Sequence, residues 1–197
     1  ALVLSLCPTR VVGREYIPKD HKPCVVIANH QGAFDIFMMY GLLPIPFRWV
    51  MKESLRRVPF MGKACQMAGF IFVDDQKKGS IKETMDSARR VLSEGTSIFI
   101  FPEGRRTLTG RMDRFKKGGF VLAYELDVPI IPVSIDGSYR ALRAGGRWVT
   151  PTRLTLTIHP PIQIDREGEF PRNMLQALDQ VRSSIASVLP EEQETHS

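Results

Sequence analysis

The sequence predicts a single α/β domain with a mixed, largely parallel sheet that is flanked by helices. Short apolar runs such as 24–28 and 96–101 are bounded by polar or turn-forming residues, as buried strands are. These runs alternate with segments whose apolar residues recur at helical spacing, and that alternation is typical of α/β folds. A length of 197 residues suits one such domain with a sizeable core.

The first half of the chain is predicted to hold three strands with short helices between them. Gly41 and Pro44 end the first helix and Gly69 closes the second, because glycine and proline interrupt regular structure. The apolar start, 1–8, is consistent with a first strand, a loose anchor or the end of a longer apolar segment. The predicted strands are 24–28, 47–51 and 70–73, and the predicted helices are 34–43 and 61–69.

A longer helix is predicted to begin at Ser80. Ser80 and Glu83 match the capping-box pattern, and Gly95 follows the helix as a C-terminal stop. The apolar face of this helix is predicted to consist of Ile81, Met85, Ala88, Val91 and Leu92.

The rest of the chain continues the alternation up to a final amphipathic helix. A strand at 128–135 contains Pro132, which lacks an N–H for the ladder and is expected at an edge, a strand end or a bulge. The tail 190–197 is polar and is expected to be frayed. The other predicted elements are strands 96–101 and 153–159, a helix at 118–126, and a final helix with Leu175, Leu178, Val181, Ile185 and Val188 on its apolar face.

Charge and cysteine content narrow the classes of function. The formal net charge of +6 favours an anionic partner, namely a nucleic acid, a membrane surface or a phosphorylated substrate. No DNA- or RNA-binding pattern accompanies the basic residues, so a nucleic-acid partner is not expected. Three cysteines without a C-x-x-C pair indicate neither a disulfide framework nor a zinc site. No apolar run reaches the length of about 18 residues that would span a bilayer.

His30 and Asp35 follow the predicted strand 24–28 and are the strongest catalytic candidates. At about 100° per residue, two positions five apart do not share a face of a continuous helix. They can meet if His30 lies in the loop before the helix and Asp35 in its first turn. A carboxylate that accepts the N–H of one imidazole nitrogen leaves the other nitrogen as a base. The spacing is equally consistent with a strand-end histidine and a separate helix N-terminal charge.

The residues around this pair decide what the base acts on. No serine or cysteine stands in the motif as a nucleophile, so the base is expected to act on a hydroxyl of a substrate. No third histidine or cysteine lies at ligand spacing, so no metal is expected.

A second candidate site follows the predicted strand 96–101, where Glu103, Gly104, Arg105 and Arg106 stand in sequence. Arginine binds phosphate through two hydrogen bonds, and glycine lets the backbone approach a ligand closely. Ligands of open α/β sheets bind in the loops after strands, which favours an anion site over a solvated surface turn.

Two further basic segments are candidates for the same anion. Lys116 belongs to the basic run 111–119 just before a predicted helix, although such a run is more often a solvated face. Lys52 lies at the end of the predicted strand 47–51 and could hold a phosphate, stabilise an oxyanion or be an ordinary surface lysine.

Taken in order, four blocks resemble the glycerolipid acyltransferase family, specifically bacterial-type 1-acyl-glycerol-3-phosphate (lysophosphatidate) acyltransferases. A single block would be weak support, whereas the ordered set is specific. The blocks are NHQGAFD (29–35), KESLRRVPFMG with AGFIFVDD (52–75), FPEGRRT with FKKGGF (101–120), and VPIIPVSI (128–135).

The resemblance implies a glycerol-3-phosphate acyltransferase-like fold and a role for each matching residue. His30 would deprotonate the acceptor hydroxyl, and Asp35 would orient His30. The hydroxyl would attack the thioester of acyl-CoA or acyl-carrier protein, which is a co-substrate, and no cofactor is implied. Glu103 and Arg106 would shape the acceptor site, with Arg106 on the phosphate. Lys52 matches a lysine that the family places near the site.

The chain departs from the family pattern at three positions. Arg105 replaces the usual threonine, and Gly32 replaces a frequent serine. Asp75 stands where the family often has an arginine that contacts phosphate, and an acidic residue there would repel a phosphate. Lys77, Lys78 or Arg105 would then have to compensate.

Alternative functions therefore stay open. The same chemistry could act on another lysolipid, such as lyso-ornithine lipid, or on glycerol phosphate. A non-catalytic lipid-binding module would bind lipid without turnover. A hydrolase would use His30 to activate water, but the chain has no G-x-S-x-G nucleophile elbow.

Membrane contact is implied by substrates whose acyl chains stay in a bilayer, so we expect the protein at the cytoplasmic face of the membrane, peripheral or anchored through its N-terminus. The candidate contacts are 1–7 and 37–49. Within the second of these, Phe37 to Met39 are expected in the core, and 42–47 could be either core or membrane contact.

The chain is predicted to consist of three parts. They are 1–23, an N-terminal segment interpreted as the remnant of a membrane anchor, 24–189, the acyltransferase domain, and 190–197, a flexible tail.

Overall fold

A computed structural model describes residues 7–20, 22–74, 80–142, 146 and 148–193. The strands in these ranges are β1 Thr9–Val12, β2 Val25–Ala28, β3 Phe47–Lys52, β4 Ile71–Val73, β5 Ser97–Ile100, β6 Ile130–Asp136 and β7 Leu154–Ile158. The α-helices are α1 Phe34–Leu42, α2 Met61–Met67, α3 Ser80–Ser93, α4 Gly118–Glu125, α5 Ser138–Ala141, α6 Phe170–Ala186 and α7 Pro190–Gln193. Two 3-10 helices span Arg14–Tyr16 and Glu53–Arg57.

The strands of the described chain form one sheet in the spatial order β1-β7-β6-β2-β5-β3-β4. Every neighbouring pair is parallel except β6 and β7, which run antiparallel. The prediction of one α/β domain with a mixed, largely parallel sheet is therefore confirmed. Because β2 lies between β5 and β6, the loops at the carboxyl ends of these three strands are neighbours.

The interior strands are buried on both faces. In β2, Val25 and Ile27 belong to one apolar cluster, whereas Val26 and Ala28 belong to the other. Successive strand side chains point to opposite faces, so β2 lies between two layers. The first layer draws on α3, α4 and α6, and the second on α1. This double packing holds the carboxyl end of β2 rigidly in place.

Pro132 lies inside β6, an interior strand, at a point where the facing chain changes register. Val133 faces Ile158 of β7, but Ile130 faces Ile162, so the facing chain carries one extra residue between the two pairs. The proline was expected at an edge, at a strand end or at a bulge. The structure shows a bulge, and the extra residue lies in the segment that faces Pro132. The proline therefore lies just outside the regular β6–β7 ladder.

The final amphipathic helix is found as α6, but its buried face differs from the predicted one. Val181 is buried as predicted, whereas Leu175 and Val188 are largely exposed. Met174 and Ala177 take the buried positions instead. The prediction was wrong at Leu175 because α6 packs through the face that carries Met174 and Ala177, and wrong at Val188 because the helix ends at Ala186.

The helix α1 is apolar on most of its surface, and its burial differs from the prediction at Phe37. Met38 and Met39 are buried as expected, but Phe37 is 66% exposed, and Ile36 and Tyr40 are also exposed. Apolar residues lie on all sides of this helix, so the sequence pattern does not show which side packs on the sheet. The buried side chains of the segment that was left open are Leu43, Ile45 and Phe47.

Both ends of the described chain are tied to the domain. The strand β1 lies inside the segment 1–23 that the sequence analysis sets apart, yet it pairs with β7, and the adjacent Cys7 is fully buried. At the other end, Glu192 of α7 accepts the main-chain N–H of Met112 at 2.6 Å. The part of the predicted flexible tail that is described, 190–193, forms α7, and the remaining part, 194–197, lies outside the described residues.

Some sequence predictions fall on positions outside the described residues. They concern Asp75, Lys77, Lys78, the segment 1–6 and the side chains of Ser80 and Ile81. Within the described part of the chain, no helix combines the length and the apolar character needed to cross a bilayer.

Candidate active site

Three neighbouring parallel strands present their carboxyl ends at one edge of the sheet. The central one is β2, which pairs in parallel with β5 on one side and with β6 on the other. The loops that follow β2 and β5 carry His30 and Glu103, and Ser138 begins the helix that follows β6. The sheet order thus brings together residues that lie far apart in the sequence.

His30 and Asp35 are hydrogen-bonded, with 2.7 Å between Nδ1 and Oδ2. As predicted, His30 lies in the loop before α1 and Asp35 in the first turn of that helix. A carboxylate only accepts hydrogen bonds, so Nδ1 carries a proton, and in the neutral imidazole the lone pair is on Nε2. The His30 side chain is 15% exposed and lines a cavity, whereas that of Asp35 is fully buried. This geometry is that of a base oriented by a buried carboxylate.

Three further donors hold the Asp35 carboxylate. Its Oδ2 also accepts the main-chain N–H groups of Gln31 at 2.7 Å and Gly32 at 2.9 Å. Its Oδ1 accepts the hydroxyl of Ser138, the first residue of α5. The N-terminus of α1 favours negative charge at the same place. These contacts fix the carboxylate in one orientation towards His30.

The loop after β5 holds both the ring and the backbone of His30. The His30 ring stacks on Phe101 with centroids 3.9 Å apart and planes inclined by 6°. Thr107 of the same loop donates its main-chain N–H to the His30 carbonyl at 2.9 Å. The imidazole is therefore restrained on one face by a ring and at Nδ1 by Asp35.

Glu103 supports the His30 loop from inside the protein, with 6% of its surface exposed. Its two carboxylate oxygens accept the main-chain N–H groups of His30 and Asp113, each at 2.8 Å. Burial raises the pKa of the Glu103 carboxyl to about 7. Glu103 is not among the described residues that line the cavity beside His30. Its geometry is that of a positioning residue, and its part in acceptor binding stays a prediction.

The basic residues predicted to bind an anion line the same cavity as His30. Arg105 is engaged by Asp113, with 2.6 Å between Nη2 and Oδ2, and the guanidinium lowers the pKa of that carboxyl. Arg106 has no ion pair with the described residues. The predicted basic residues in the cavity wall are Lys52, Arg105, Arg106 and Lys116.

Gly104 shows why the turn after β5 requires glycine. Its φ angle is 70°, in the left-handed region that residues with a Cβ rarely adopt. A Cβ at this position would lie 3.2 Å from Cε and 3.4 Å from Nζ of Lys116. The φ angle explains why a glycine stands at this turn, whereas the close approach of its backbone to a ligand stays a prediction.

The cavity that His30 lines has a volume of about 1020 Å³. Gly118 and Gly119, at the start of α4, form part of its wall, and a Cβ at Gly118 would meet no atom within 4 Å. The space suits a flexible apolar chain next to the His30 imidazole and basic side chains. Apolar side chains in the wall include Ile36, Trp49, Val73, Met85 and Val121.

A family model described as Acyltransferase matches residues 8–136 of the chain. The chain belongs to the acyltransferase family. The matched range runs from the residue before β1 to the last residue of β6, so it includes the His30–Asp35 pair and the loop after β5.

Relatives and a solved structure resemble this acyltransferase over most of its length. A 1-acyl-sn-glycerol-3-phosphate acyltransferase of Chlamydomonas reinhardtii is 30% identical over 92% of the chain and 53% of its own length. The alpha form of that enzyme from Mus musculus is 33% identical over 92% of the chain and 63% of its own length. The chain thus spans between half and two thirds of the length of these two relatives.

The crystal structure of the 1-acyl-sn-glycerophosphate acyltransferase PlsC from Thermotoga maritima has a similar fold. The two structures superpose with a TM-score of 0.72 at 30% sequence identity. The alignment covers 92% of the present acyltransferase chain and 72% of the Thermotoga chain.

Sequence reasoning missed three residues of the acyltransferase site, namely Phe101, Thr107 and Ser138. Phe101 and Thr107 lie within a block that was recognised, but their contacts with His30 cross from one strand loop to another. Ser138 follows the last recognised block by three positions. The available signal was the parallel sheet, because polar residues just after neighbouring strands meet at one edge.

Proposed function

We propose that this acyltransferase moves an acyl chain from acyl-CoA or acyl-carrier protein to the free hydroxyl of 1-acyl-glycerol-3-phosphate, and so forms phosphatidate in phospholipid biosynthesis. The observation that carries the proposal is the His30–Asp35 pair beside a cavity that combines basic side chains with a long apolar lining. The similar proteins from Chlamydomonas reinhardtii, Mus musculus and Thermotoga maritima are named for the same acceptor, which supports the proposal.

The proposed reaction is a direct transfer in which His30 acts as the base. Its Nε2 takes the proton of the acceptor hydroxyl while the hydroxyl oxygen attacks the thioester carbonyl. The new C–O bond forms, the C–S bond breaks, and the proton passes from the imidazolium to the leaving thiolate. Asp35 holds the Nδ1–H and stabilises the imidazolium while it exists.

No acyl-enzyme takes part in the proposed reaction. Cys65 lines the cavity, but burial raises the pKa of its thiol, which works against the nucleophilic thiolate form. A Cys65→Ser variant should therefore retain transfer.

The phosphate of the acceptor is assigned to the basic part of the cavity wall. Arg106 is the leading contact because it has no ion pair within the described chain and can offer two parallel hydrogen bonds. Lys52 and Arg105 line the same space and add positive charge. Lyso-ornithine lipid, the alternative acceptor, has no phosphate and would make less use of these cations.

The test is release of thiol from an acyl-CoA or acyl-carrier protein, with and without lysophosphatidate, in detergent micelles. We expect acceptor-dependent release together with phosphatidate, identified by mass spectrometry, and loss of both in His30→Gln. His159→Gln is the control, because His159 is bonded to Ser134 and is not a cavity residue. Thiol release that survives in His30→Gln would overturn the mechanism. Release only with another lysolipid would overturn the acceptor, and lipid binding without turnover would favour the binding module.

We also propose that the protein acts as a peripheral protein at the cytoplasmic face of the membrane. Exposed apolar side chains of α1 and of the two ends of α2 form what we call the apolar face. Tyr40 of α1 and Cys65 of α2 both line the cavity, so this surface adjoins its wall. Between Ile36 and Phe70, five basic residues accompany one acidic residue, which suits an anionic bilayer. The apolar face consists of Ile36, Phe37, Tyr40, Phe60 and Met67.

Vesicle co-sedimentation tests the membrane proposal. Phe60 is 93% exposed, and its burial in lipid should contribute about 2 kcal/mol, so Phe60→Ser should weaken binding by about tenfold or more. Trp148→Ser is the control, because Trp148 is 88% exposed but precedes β7, near the opposite edge of the sheet. Binding that responds equally to both substitutions, or that ignores phosphatidylglycerol in the vesicles, would contradict the proposal.

A further inference from the structure

Ser138 is the first residue of α5 and is fully buried, and its hydroxyl is bonded to the Asp35 carboxylate. Because a carboxylate only accepts hydrogen bonds, the serine hydroxyl is the donor. We propose that Ser138 is a positioning residue for acyl transfer, which holds Asp35 in the orientation that His30 requires. This inference deepens the proposed function and rests on it.

The two carboxylate oxygens of Asp35 accept hydrogen bonds from different donors, and this difference supports the role of Ser138. The His30, Gln31 and Gly32 donors all bond to Oδ2, so only Ser138 bonds to Oδ1 among the described residues. The terminal torsion of an aspartate is broad and roughly two-fold, so bonds to one oxygen alone leave the plane of the carboxylate less defined. A donor on the second oxygen fixes that plane, and with it the direction of the His30 ring.

The turn at Gly137, just before Ser138, places the serine next to Asp35. Gly137 has a φ angle of 91°, and a Cβ there would lie 2.2 Å from the Arg153 carbonyl oxygen. Only glycine fits such a turn, which leads the chain from β6 directly into the short helix α5. The tight turn at Gly137 therefore restricts the backbone and fixes the position of Ser138 next to Asp35.

Gly32 packs directly against Ser138 from the other side. A Cβ at Gly32 would lie 2.9 Å from the carbonyl oxygen and 3.0 Å from Oγ of Ser138. This is the position where the resemblance to the acyltransferase family leads one to expect a serine. In this chain Ser138 occupies the space that a side chain at position 32 would need. A glycine at position 32 therefore leaves room for the bond from Ser138 to Asp35.

The test compares Ser138→Ala, Ser138→Thr and a matched control in the thiol-release assay. Loss of a hydrogen bond to a charged group should lower kcat by about 10- to 100-fold in Ser138→Ala. The KM values for both substrates should stay within about twofold, because Ser138 does not line the cavity. Ser138→Thr keeps the hydroxyl and should recover most of kcat, which a purely structural role would not predict.

The control is Ser134→Ala. Ser134 is also buried, and its hydroxyl bonds to His159 at 2.7 Å and to the Ile185 carbonyl at 2.9 Å, away from Asp35. This variant should lose stability in urea unfolding but keep kcat. If Ser138→Ala folds and keeps kcat within about twofold, or behaves like Ser134→Ala, the inference is overturned.

Gly32→Ala gives a second variant that leaves the serine in place. The added Cβ should displace Ser138 and lower kcat in the wild-type background. Part of this loss should be relieved in a Ser138→Gly background, where the contact with Oγ is gone and the contact with the main-chain carbonyl oxygen remains. Equal effects in the two backgrounds would show that Gly32 and Ser138 are not coupled.

A proton NMR measurement separates failure of this inference from failure of the proposed function. The His30 Nδ1–H proton, assigned by its absence in His30→Gln, reports the bond to Asp35 whether or not the protein turns over substrate. We expect this resonance to broaden or move in Ser138→Ala and to stay unchanged in Ser134→Ala. If it changes in a protein without acceptor-dependent activity, the positioning role stands and the proposed function falls; if it does not change, the positioning role falls.

Discussion

Glu103 accepts the main-chain N–H of His30 at 2.8 Å, although the two residues follow different strands. The bond joins the loop after β5 to the loop after β2, and the second oxygen of the same carboxyl accepts the N–H of Asp113. A single buried side chain thereby connects the two loops around the base and braces the longer one at Asp113. The burial that makes this connection also gives the carboxyl its raised pKa.

The first prediction follows from that pKa. The Glu103 carboxyl ionises near 4.5 when unperturbed and at about 7 in the folded protein. Between these values the folded state holds a proton that the unfolded chain has lost, so the free energy of unfolding falls as pH rises. The total contribution is about 3 kcal/mol, present below about pH 4.5 and lost as pH rises through about 7.

Urea unfolding at about pH 5 and about pH 8 measures this contribution. Glu103→Gln should remove most of the difference between the two values, whereas the exposed Glu94→Gln should leave it unchanged. An unaltered pH dependence in Glu103→Gln would show that another group is responsible.

The second prediction concerns Asp35→Asn. An amide has no charge to hold the Nδ1–H of His30 or to stabilise the imidazolium, so kcat should fall by about 10⁴-fold, as in the Ser-His-Asp template. The buried donors that lose a charged acceptor should also lower the free energy of unfolding by about 1–3 kcal/mol. Asp136→Asn is the control, because Asp136 pairs with Arg140 at the surface. Nearly unchanged turnover in Asp35→Asn would rule out the orienting role.

The third prediction separates the two neighbouring arginines. Arg106→Ala should raise the KM for lysophosphatidate by about 10- to 100-fold, because a charge-assisted contact to the phosphate is lost. Arg105→Ala should have a smaller effect, since that guanidinium is already engaged by Asp113. Steady-state kinetics with the acyl donor saturating measure both values, with Arg114→Ala as the control. A larger effect of Arg105→Ala would reverse the assignment.

The fourth prediction concerns the two glycines in the cavity wall. A Cβ at Gly118 meets no atom within 4 Å, so a leucine there should fold and take up space that an acyl chain would use. Each excluded methylene costs about 0.8 kcal/mol of burial, so Gly118→Leu should favour shorter acyl donors in a competition assay.

Gly119→Leu is the matched comparison. Its Cβ would already lie 3.1 Å from Ile100 and 3.4 Å from Ile27, so the larger side chain should destabilise the fold by about 1–3 kcal/mol. Unchanged donor preference in a folded Gly118→Leu variant would show that this wall does not limit the chain.

The parts of the site that could be predicted from the sequence are those set by local order. His30 and Asp35 are five positions apart and need only a strand, a loop and a first helical turn to meet. Gly104 was predicted because a basic turn after a strand calls for a residue that tolerates close approach. These inferences need no knowledge of which strands are neighbours.

The parts that could not be predicted depend on that knowledge. Ser138 reaches Asp35 only because β6 lies beside β2, and the sequence pattern does not give the order of strands in a sheet. Phe37 was expected in the core, but its helix has apolar residues on every side and packs through Met38 and Met39. Leu175 was misjudged for a related reason, since the packed face of α6 is chosen by contact with β6 rather than by apolar content.

The pairing of β1 with β7 bears on how the protein is made. Thr9 faces Leu154, so β1 can acquire this partner only after most of the described chain has been synthesised. Contacts of such long sequence separation slow folding, and an unpaired strand edge can add to other chains in the meantime. During synthesis, β1 is therefore a segment that chaperones are expected to bind.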